Sequence, residues 1–328
     1  MILMNKDTIC ILGGTGFVGL QLTAHLVNQG YKVRVLTRNR QRNRDLLVLP
    51  GLQLREVNIY DLAELKSQFN DCYGVVNLTG ILNEGKREGH RFRHVHIDLP
   101  EKIAQACLDT RVKRLLHMSA LNANADKGSS YYLRSKGEGE SRILPLAKQG
   151  LQVTIFRPSV IFGPEDSFFN RFATLLEIFP FIFPLACPDS RLAPIYVGDV
   201  VQAFARILTD DKYHFNQSYE LCGPNTYTLK QLVEYTAAVL GLKRRIIGLS
   251  DKLSRLQASA LEYLPGNLFS KDNYASLQTP SICRQNELDK LDIKPTTIEA
   301  VVPEYLGQRN QKARYLELRR YAQRNKLS

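Results

Sequence analysis

Short apolar runs alternate with amphipathic stretches through the first 160 residues. The runs at 8–12 (TICIL), 32–37 (KVRVLT), 52–57 (LQLREV), 73–78 (YGVVNL), 113–118 (KRLLHM) and 152–156 (QVTIF) are rich in Val, Ile and Leu and too short for helices. They read as strands buried on both faces. Apolar positions recur at helical spacing near 17–29, 61–70, 97–110 and 133–147. Gly30 follows the first of these where a helix C-cap glycine belongs. Strands joined only through helices pair in parallel, so the pattern predicts an α/β fold: a Rossmann-like, doubly wound parallel sheet.

After Arg157 the alternation stops, and proline and aromatic residues become more frequent. We expect a nucleotide-binding domain over 1–160 and a smaller C-terminal, substrate-side lobe over 161–328. A strand at 218–223 (SYELCG) followed by a helix at 228–240 lets the lobe return one strand to the main sheet. Residues 249–264 form an amphipathic helix whose Leu253, Leu256, Ala260 and Leu264 share one face. The segment 175–188 (LLEIFPFIFPLACP) is apolar but broken by prolines. It either caps a lipophilic substrate, touches a membrane or forms a buried loop of the lobe, the last being the commoner use of apolar runs.

Composition narrows the function classes. With 44% hydrophobic and 23% charged residues among 328, the chain is neither disordered nor a membrane bundle. No stretch reaches the ~20 apolar residues that span a bilayer. The net charge of +12 favours acidic partners such as nucleotides or an anionic surface. Basic residues do not interleave with aromatics as in a nucleic-acid module, so nucleic acid is not expected. The stretch from Gly307 carries seven Lys/Arg and one Glu, a tail suited to peripheral contact with anionic lipid or an acidic partner subunit. The six cysteines lie scattered without a CxxC pair. Cys10 and Cys222 read as small core residues, and a reducing compartment follows. His90, His94 and His96 cluster without cysteine or acidic ligands in a metal pattern, so no metal is expected. The N-terminus resembles neither a signal nor a transit peptide; we expect a cytoplasmic protein, peripheral at most at the inner face of a membrane.

The first strand runs into Gly13-Gly14-Thr15-Gly16-Phe17-Val18-Gly19 and a helix. This is the context a dinucleotide fingerprint requires. Gly13 and Gly16 let the backbone turn tightly against a pyrophosphate, Gly19 lets helix and sheet pack closely, and the helix N-terminus offers free N–H groups. The second strand ends in Thr37-Arg38-Asn39-Arg40 rather than the acidic residue that binds a ribose 2′-hydroxyl. A guanidinium at Arg38 suits a 2′-phosphate, so NADP(H) is the expected cofactor and NAD(H) the alternative. Asn58 and Ile59 follow the third strand and face the adenine. Leu78, Thr79 and Gly80 follow the fourth and line the ribose and pyrophosphate.

The stretch 117–140 (HMSALNANADKGSSYYLRSKGEGE) supplies candidate chemistry. Ser119 ends the fifth strand, and Tyr132 and Lys136 share a helix face at i and i+4. A lysine ammonium lowers the pKa of a neighbouring phenol, so Tyr132 can exchange a proton with a substrate oxygen oriented by Ser119. Lys136 can equally hold the nicotinamide ribose, which preserves the pair without turnover.

On these motifs the chain resembles the short-chain dehydrogenase/reductase superfamily in its extended or atypical branch, over nearly its whole length. The resemblance includes RPSVIFGP at 157–164 and PIYVGDVVQAF at 194–204. It implies that Pro158, Ser159 and Val160 pass near the nicotinamide and that Asp199 is structural. HMSALNANADKGSSYYLRSK together with RPSVIFGPEDSFFNRFA resembles the NAD(P)H-binding accessory subunit family of respiratory complex I and its bacterial relatives. That resemblance implies a tightly held nucleotide with little turnover and a link to ubiquinone. The alternative is an active oxidoreductase or sugar-nucleotide epimerase/dehydratase using Tyr132 and Lys136. The short interval from Ser119 to Tyr132 narrows the room for a sugar nucleotide.

Overall fold

The computed structural model describes residues 8–84, 89–209, 215–262, 269–307 and 309. Leu264 and, apart from Arg309, the basic tail therefore lie outside the described residues.

Six strands arise from the six apolar runs: β1 (Thr8–Leu12), β2 (Lys32–Thr37), β3 (Leu52–Glu56), β4 (Cys72–Asn77), β5 (Arg114–Met118) and β6 (Gln152–Pro158). Five shorter or later ones follow before the last pair: β7 (Ile161–Phe162), β8 (Ile182–Leu185), β9 (Arg191–Leu192), β10 (Ile195–Tyr196) and β11 (Gln217–Leu221). The last pair is β12 (Tyr227–Thr228) and β13 (Arg245–Gly248). The main sheet has seven strands in the order β11-β6-β5-β4-β1-β2-β3, all paired in parallel. The strand order reverses between β1 and β4, which opens a crevice at their carboxyl ends.

Helices cover both faces, and this is why the strands are apolar without alternation; all five residues of β1 are buried. One face carries α1 (Phe17–Asn28) and a late helix, Val197–Thr209, with Leu22, Leu26, Phe204 and Leu208 in a shared core. The other carries α2 (Leu62–Phe69) and the helical run after His90. That run comprises α3 (His90–Arg93), a π-helical turn (His94–Asp98) and α4 (Leu99–Asp109). α5 (Tyr131–Ile143) packs beside them. Gly139 makes this fit close: a Cβ there would stand 1.9 Å from the His96 carbonyl oxygen. Arg157 of β6 and the buried Glu140 of α5 form an ion pair, Nε to Oε1 3.0 Å, that ties helix to sheet.

The C-terminal half adds α6 (Phe169–Ile178), α7 (Val197–Thr209), α8 (Leu229–Val239), α9 (Asp251–Leu261), α10 (Lys271–Leu277) and a helix over 298–307. Phe162, Phe169, Leu176, Phe183, Leu232 and Val302 build a core of their own. β11 leaves this lobe to pair with β6.

Two readings change. Cys222 is joined to Cys283 by a disulfide across 61 residues; two cysteines so far apart leave no local spacing to read. Second, the 175–188 segment is not a buried loop throughout. Phe183 and Leu185 enter the lobe core, while Ile178, Phe179, Phe181 and Ile182 are exposed. In α9 the leucine face is the exposed one. Leu253 and Leu256 face outward, and Ser254 and Ala258 are buried. Small residues let α9 approach the β8 segment, where the Gln257 amide donates to the Pro184 carbonyl (3.2 Å) and the Cys187 N–H donates to Ser254 Oγ (3.1 Å).

Gly139→Ala is expected to destabilise the fold by about 1–3 kcal/mol through overpacking, read as a lower midpoint in urea. Gly307→Ala, also in a helix but with nothing within 4 Å of its Cβ, serves as the control and should leave the midpoint equal or slightly raised. Equal midpoints would contradict the close seating of α5 on the π turn.

Candidate functional site

The glycine turn is built by backbone contact. Gly13 has φ +77° and lies against the Leu78 carbonyl, where a Cβ would come to 2.9 Å. Gly16 donates its N–H to the Gly13 carbonyl (3.0 Å) and caps α1 without a side chain. A Cβ on Gly19 would meet the Gly13 carbonyl at 2.2 Å. The turn at Thr15 and Gly16 thus aims the first-turn N–H groups of α1, at Phe17, Val18 and Gly19, toward the crevice, and α1 has no acidic residue in its first turn to oppose an anion. A pyrophosphate fits such a cradle.

Arg38 is exposed directly after β2, and Asn58 is exposed after β3 with its side-chain oxygen accepting the Tyr60 N–H. Ile59 packs half-buried against the core beneath. Leu78 donates its N–H to the Leu12 carbonyl, which draws the β4 end onto the β1 end. Asn77 organises the next residues: its Oδ1 accepts from the Thr79 N–H (3.1 Å) and hydroxyl. Its amide nitrogen is then the donor to His117 Nδ1, 3.1 Å away. Burial and the nearby Lys136 cation push His117 down to about 3, so its ring is neutral.

Lys136 lies buried under the crevice. Its Nζ donates to the Met118 carbonyl (3.0 Å) and sits beside Gly80, 3.3 Å from where a Cβ would stand. Burial lowers its pKa to about 8, with Glu140 opposing. Tyr132 moves in the opposite direction: burial first, and then Asp272, push its phenol up to about 12. Asp272 belongs to α10 and accepts the Tyr131 and Tyr132 N–H groups at the N-terminus of α5 (2.6 and 3.2 Å). Ser119 is buried, its hydroxyl without a partner among the described residues.

His96 braces this helix. Its Nε2 accepts the Ile81 N–H (3.1 Å), and its Nδ1 pairs with the Ser135 hydroxyl (2.9 Å), which itself donates to the Tyr132 carbonyl. Those roles place the ring proton on Nδ1. Burial and Lys136 hold the pKa at about 2, keeping the ring neutral. Sequence reasoning set His96 aside as a non-ligand and gave no role to Asp272. Nothing local marks Asp272, which is 140 residues from Tyr132.

A cleft of about 630 Å³ joins these elements to the C-terminal lobe. Phe17, Met118, Ser119, Tyr132, Pro158, Ser159 and Val160 line one end, and Leu175, Phe179, Phe183, Leu261 and Phe269 the other. Among its described lining residues Arg171 is the single charged one. Ser159 is less available than its neighbours, because its hydroxyl is engaged with Ser281 (2.9 Å). No group of His, Cys, Asp or Glu suited to a metal occurs among the described residues, and no helix among them is long and apolar enough to cross a membrane.

The model of the NAD dependent epimerase/dehydratase family matches residues 9–222. The chain belongs to that family. Among curated proteins, the chain is similar to NADH dehydrogenase [ubiquinone] 1 alpha subcomplex subunit 9, mitochondrial, from Mus musculus. The two are 32% identical over 245 residues, covering 72% of this chain and 61% of the relative. The chain thus spans about three fifths of that relative's length. Its Arabidopsis thaliana counterpart is 25% identical, with 91% and 77% covered. Among solved structures, Pal from Bacillus thuringiensis superposes with a TM-score of 0.75 at 15% identity, covering 92% of this chain and 99% of that one. DesIV, a dTDP-glucose 4,6-dehydratase from Streptomyces venezuelae with NAD and TYD bound, reaches 0.71 at 18%, covering 91% and 95%. These two likenesses show a shared fold.

A buried lysine whose folded pKa is about 8, against roughly 10.4 unfolded, binds fewer protons folded than unfolded between those values. Stability therefore rises with pH across that window, by up to about 1.4 kcal/mol per unit. Subtracting the urea midpoints of Lys136→Met from those of the parent should isolate this rise. A flat difference from pH 8 to 10 would contradict the burial of the ammonium.

Proposed function

We propose that the chain binds NADP(H) tightly beside an apolar cleft and holds it with little turnover, in association with respiratory NADH:ubiquinone oxidoreductase or quinone metabolism. The observation that carries this reading is the electrostatics at Tyr132. Its phenol is held neutral by burial and by the Asp272 carboxylate, while the Lys136 ammonium is bonded to the Met118 carbonyl. A proton-transferring tyrosine needs the reverse, a cation lowering its pKa toward neutrality. NADP(H) is preferred over NAD(H) because Arg38, rather than a carboxylate, follows β2, and a guanidinium pairs with a 2′-phosphate. The names of the mitochondrial relatives support the link to an NADH dehydrogenase.

A second reading is favoured by the size of the cleft. An opening of about 630 Å³ beside Tyr132 and the unpartnered Ser119 hydroxyl accommodates a substrate. In this reading the chain is an oxidoreductase, with Ser119 orienting the substrate oxygen, Tyr132 transferring the proton and Lys136 supplying charge. The walls favour a lipophilic carbonyl or quinone. A sugar nucleotide's diphosphate needs more countercharge than Arg171 alone provides among the described lining residues.

The purified protein is expected to carry NADPH, identified by mass spectrometry after release, and to oxidise it negligibly with quinones or carbonyl compounds. Rapid oxidation that disappears in Tyr132→Phe with nucleotide still bound would overturn the holding role and establish the enzyme. Arg38→Asp should weaken NADP(H) by about tenfold or more, the loss of a charge-assisted contact, and leave NAD(H) unchanged. Equal weakening of both would refute the role given to Arg38.

A further inference from the structure

We propose that the rim of the cleft is a docking surface for an anionic phospholipid bilayer. Six large apolar side chains stand exposed on adjoining elements: Ile178, Phe179, Phe181 and Ile182 at the end of α6 and the start of β8, and Leu253 and Leu256 on α9. Phe181 is 78% exposed, and Ile178 and Leu256 are each 65% exposed. Isolated surface leucines are ordinary, but a contiguous group of this size marks an interaction site. The elements are fastened together. β8 pairs with β13, placing Ile182 beside Arg245, and Gln257 of α9 bonds the β8 segment at Pro184.

Charge decides the occupant. Lys243, Arg245, Lys252 and Arg255 are exposed on the same elements and connecting turn. The acidic residues of these segments are Glu177 and Asp251, and Asp251 accepts a hydrogen bond from the Tyr274 hydroxyl. Apolar tips entering the acyl boundary with ammonium and guanidinium groups at the phosphates is the arrangement an interfacial protein uses. A second copy of the same face fits poorly, because a two-fold contact would bring these four cations against their equivalents.

The surface is continuous with the cleft. Phe179, Pro184 and Gln257 all line it, so a docked bilayer meets its mouth and an apolar ligand enters without crossing water. Docking itself does not depend on which nucleotide the protein holds or whether it reacts.

Flotation of the full chain with vesicles tests this. Binding is expected to phosphatidylcholine vesicles containing phosphatidylglycerol, not to phosphatidylcholine alone, and to be reversed by salt. The double variant Phe181→Asp, Leu256→Asp, at exposed positions, should lower partitioning by about tenfold or more with an unchanged melting temperature, and Arg245→Glu with Lys252→Glu should do the same. Absence of binding by the parent, or undiminished binding by the aspartate variant, would overturn the proposal; the latter would assign binding to another surface such as the basic tail. A parent dimer that dissociates in the aspartate variant and ignores vesicles would overturn it in favour of self-association. Retained NADPH is measured in each variant, so a failure of docking is distinguishable from a failure of the nucleotide reading.

Discussion

The close approach of three backbones, at Gly13, Gly19 and Leu78, is the constraint on which the rest depends. β1 and β4 lie side by side at the point where the strand order reverses, and only glycines let α1 begin against both strand ends. That contact aligns α1 with the sheet and points its first N–H groups into the crevice. Both cores grow from the same arrangement, since helices fill each face only when the parallel strands between them are apolar on both sides.

A second constraint holds the candidate chemistry. α5 must lie deep enough for Lys136 to reach beneath the crevice, and Gly139 permits that depth. Beside it His96, Ser135 and the Tyr132 carbonyl satisfy one another in a hydrogen-bonded chain. The Asp272 carboxylate closes the helix N-terminus from the other lobe, a favourable place for negative charge that also stabilises the neutral phenol of Tyr132. One carboxylate thus orders the helix and disfavours ionisation of the tyrosine.

The C-terminal lobe combines a closed core with an open edge. Along 176–185 the chain sends Leu176, Phe183 and Leu185 into the lobe and leaves Ile178, Phe179, Phe181 and Ile182 outside. The same edge forms the cleft wall through Phe179 and Phe183. Apolar surface retained here is where the lobe differs most from a part that only completes a core.

Much of the sheet was legible in the sequence, because each buried strand must be an unbroken apolar run and each crossover helix must carry an apolar stripe. The strands of the first half begin and end within about two residues of the runs that announce them, whereas the helix expected over 133–147 already ends at Ile143 and the one expected from 97 is preceded by helical turns from His90. The glycine turn was legible for the same local reason: its backbone geometry forbids side chains, so composition records it. Ser119, Tyr132 and Lys136 could be named from spacing, but not the state they adopt. That state is set by burial and by Asp272, which arrives from 140 residues away. The orientation of α9 was not legible, because periodicity shows that a helix has an apolar face and not which neighbour it meets; small residues at Ser254 and Ala258 won the packing. The Cys222–Cys283 link and the cleft beside it were likewise beyond a linear reading. The sequence by itself determined the sheet, its crossover helices and the glycine turn, all of which follow from local pattern. Only tertiary structure decided the charge states, the cleft and the exposed rim, because each depends on segments brought together from distant parts of the chain.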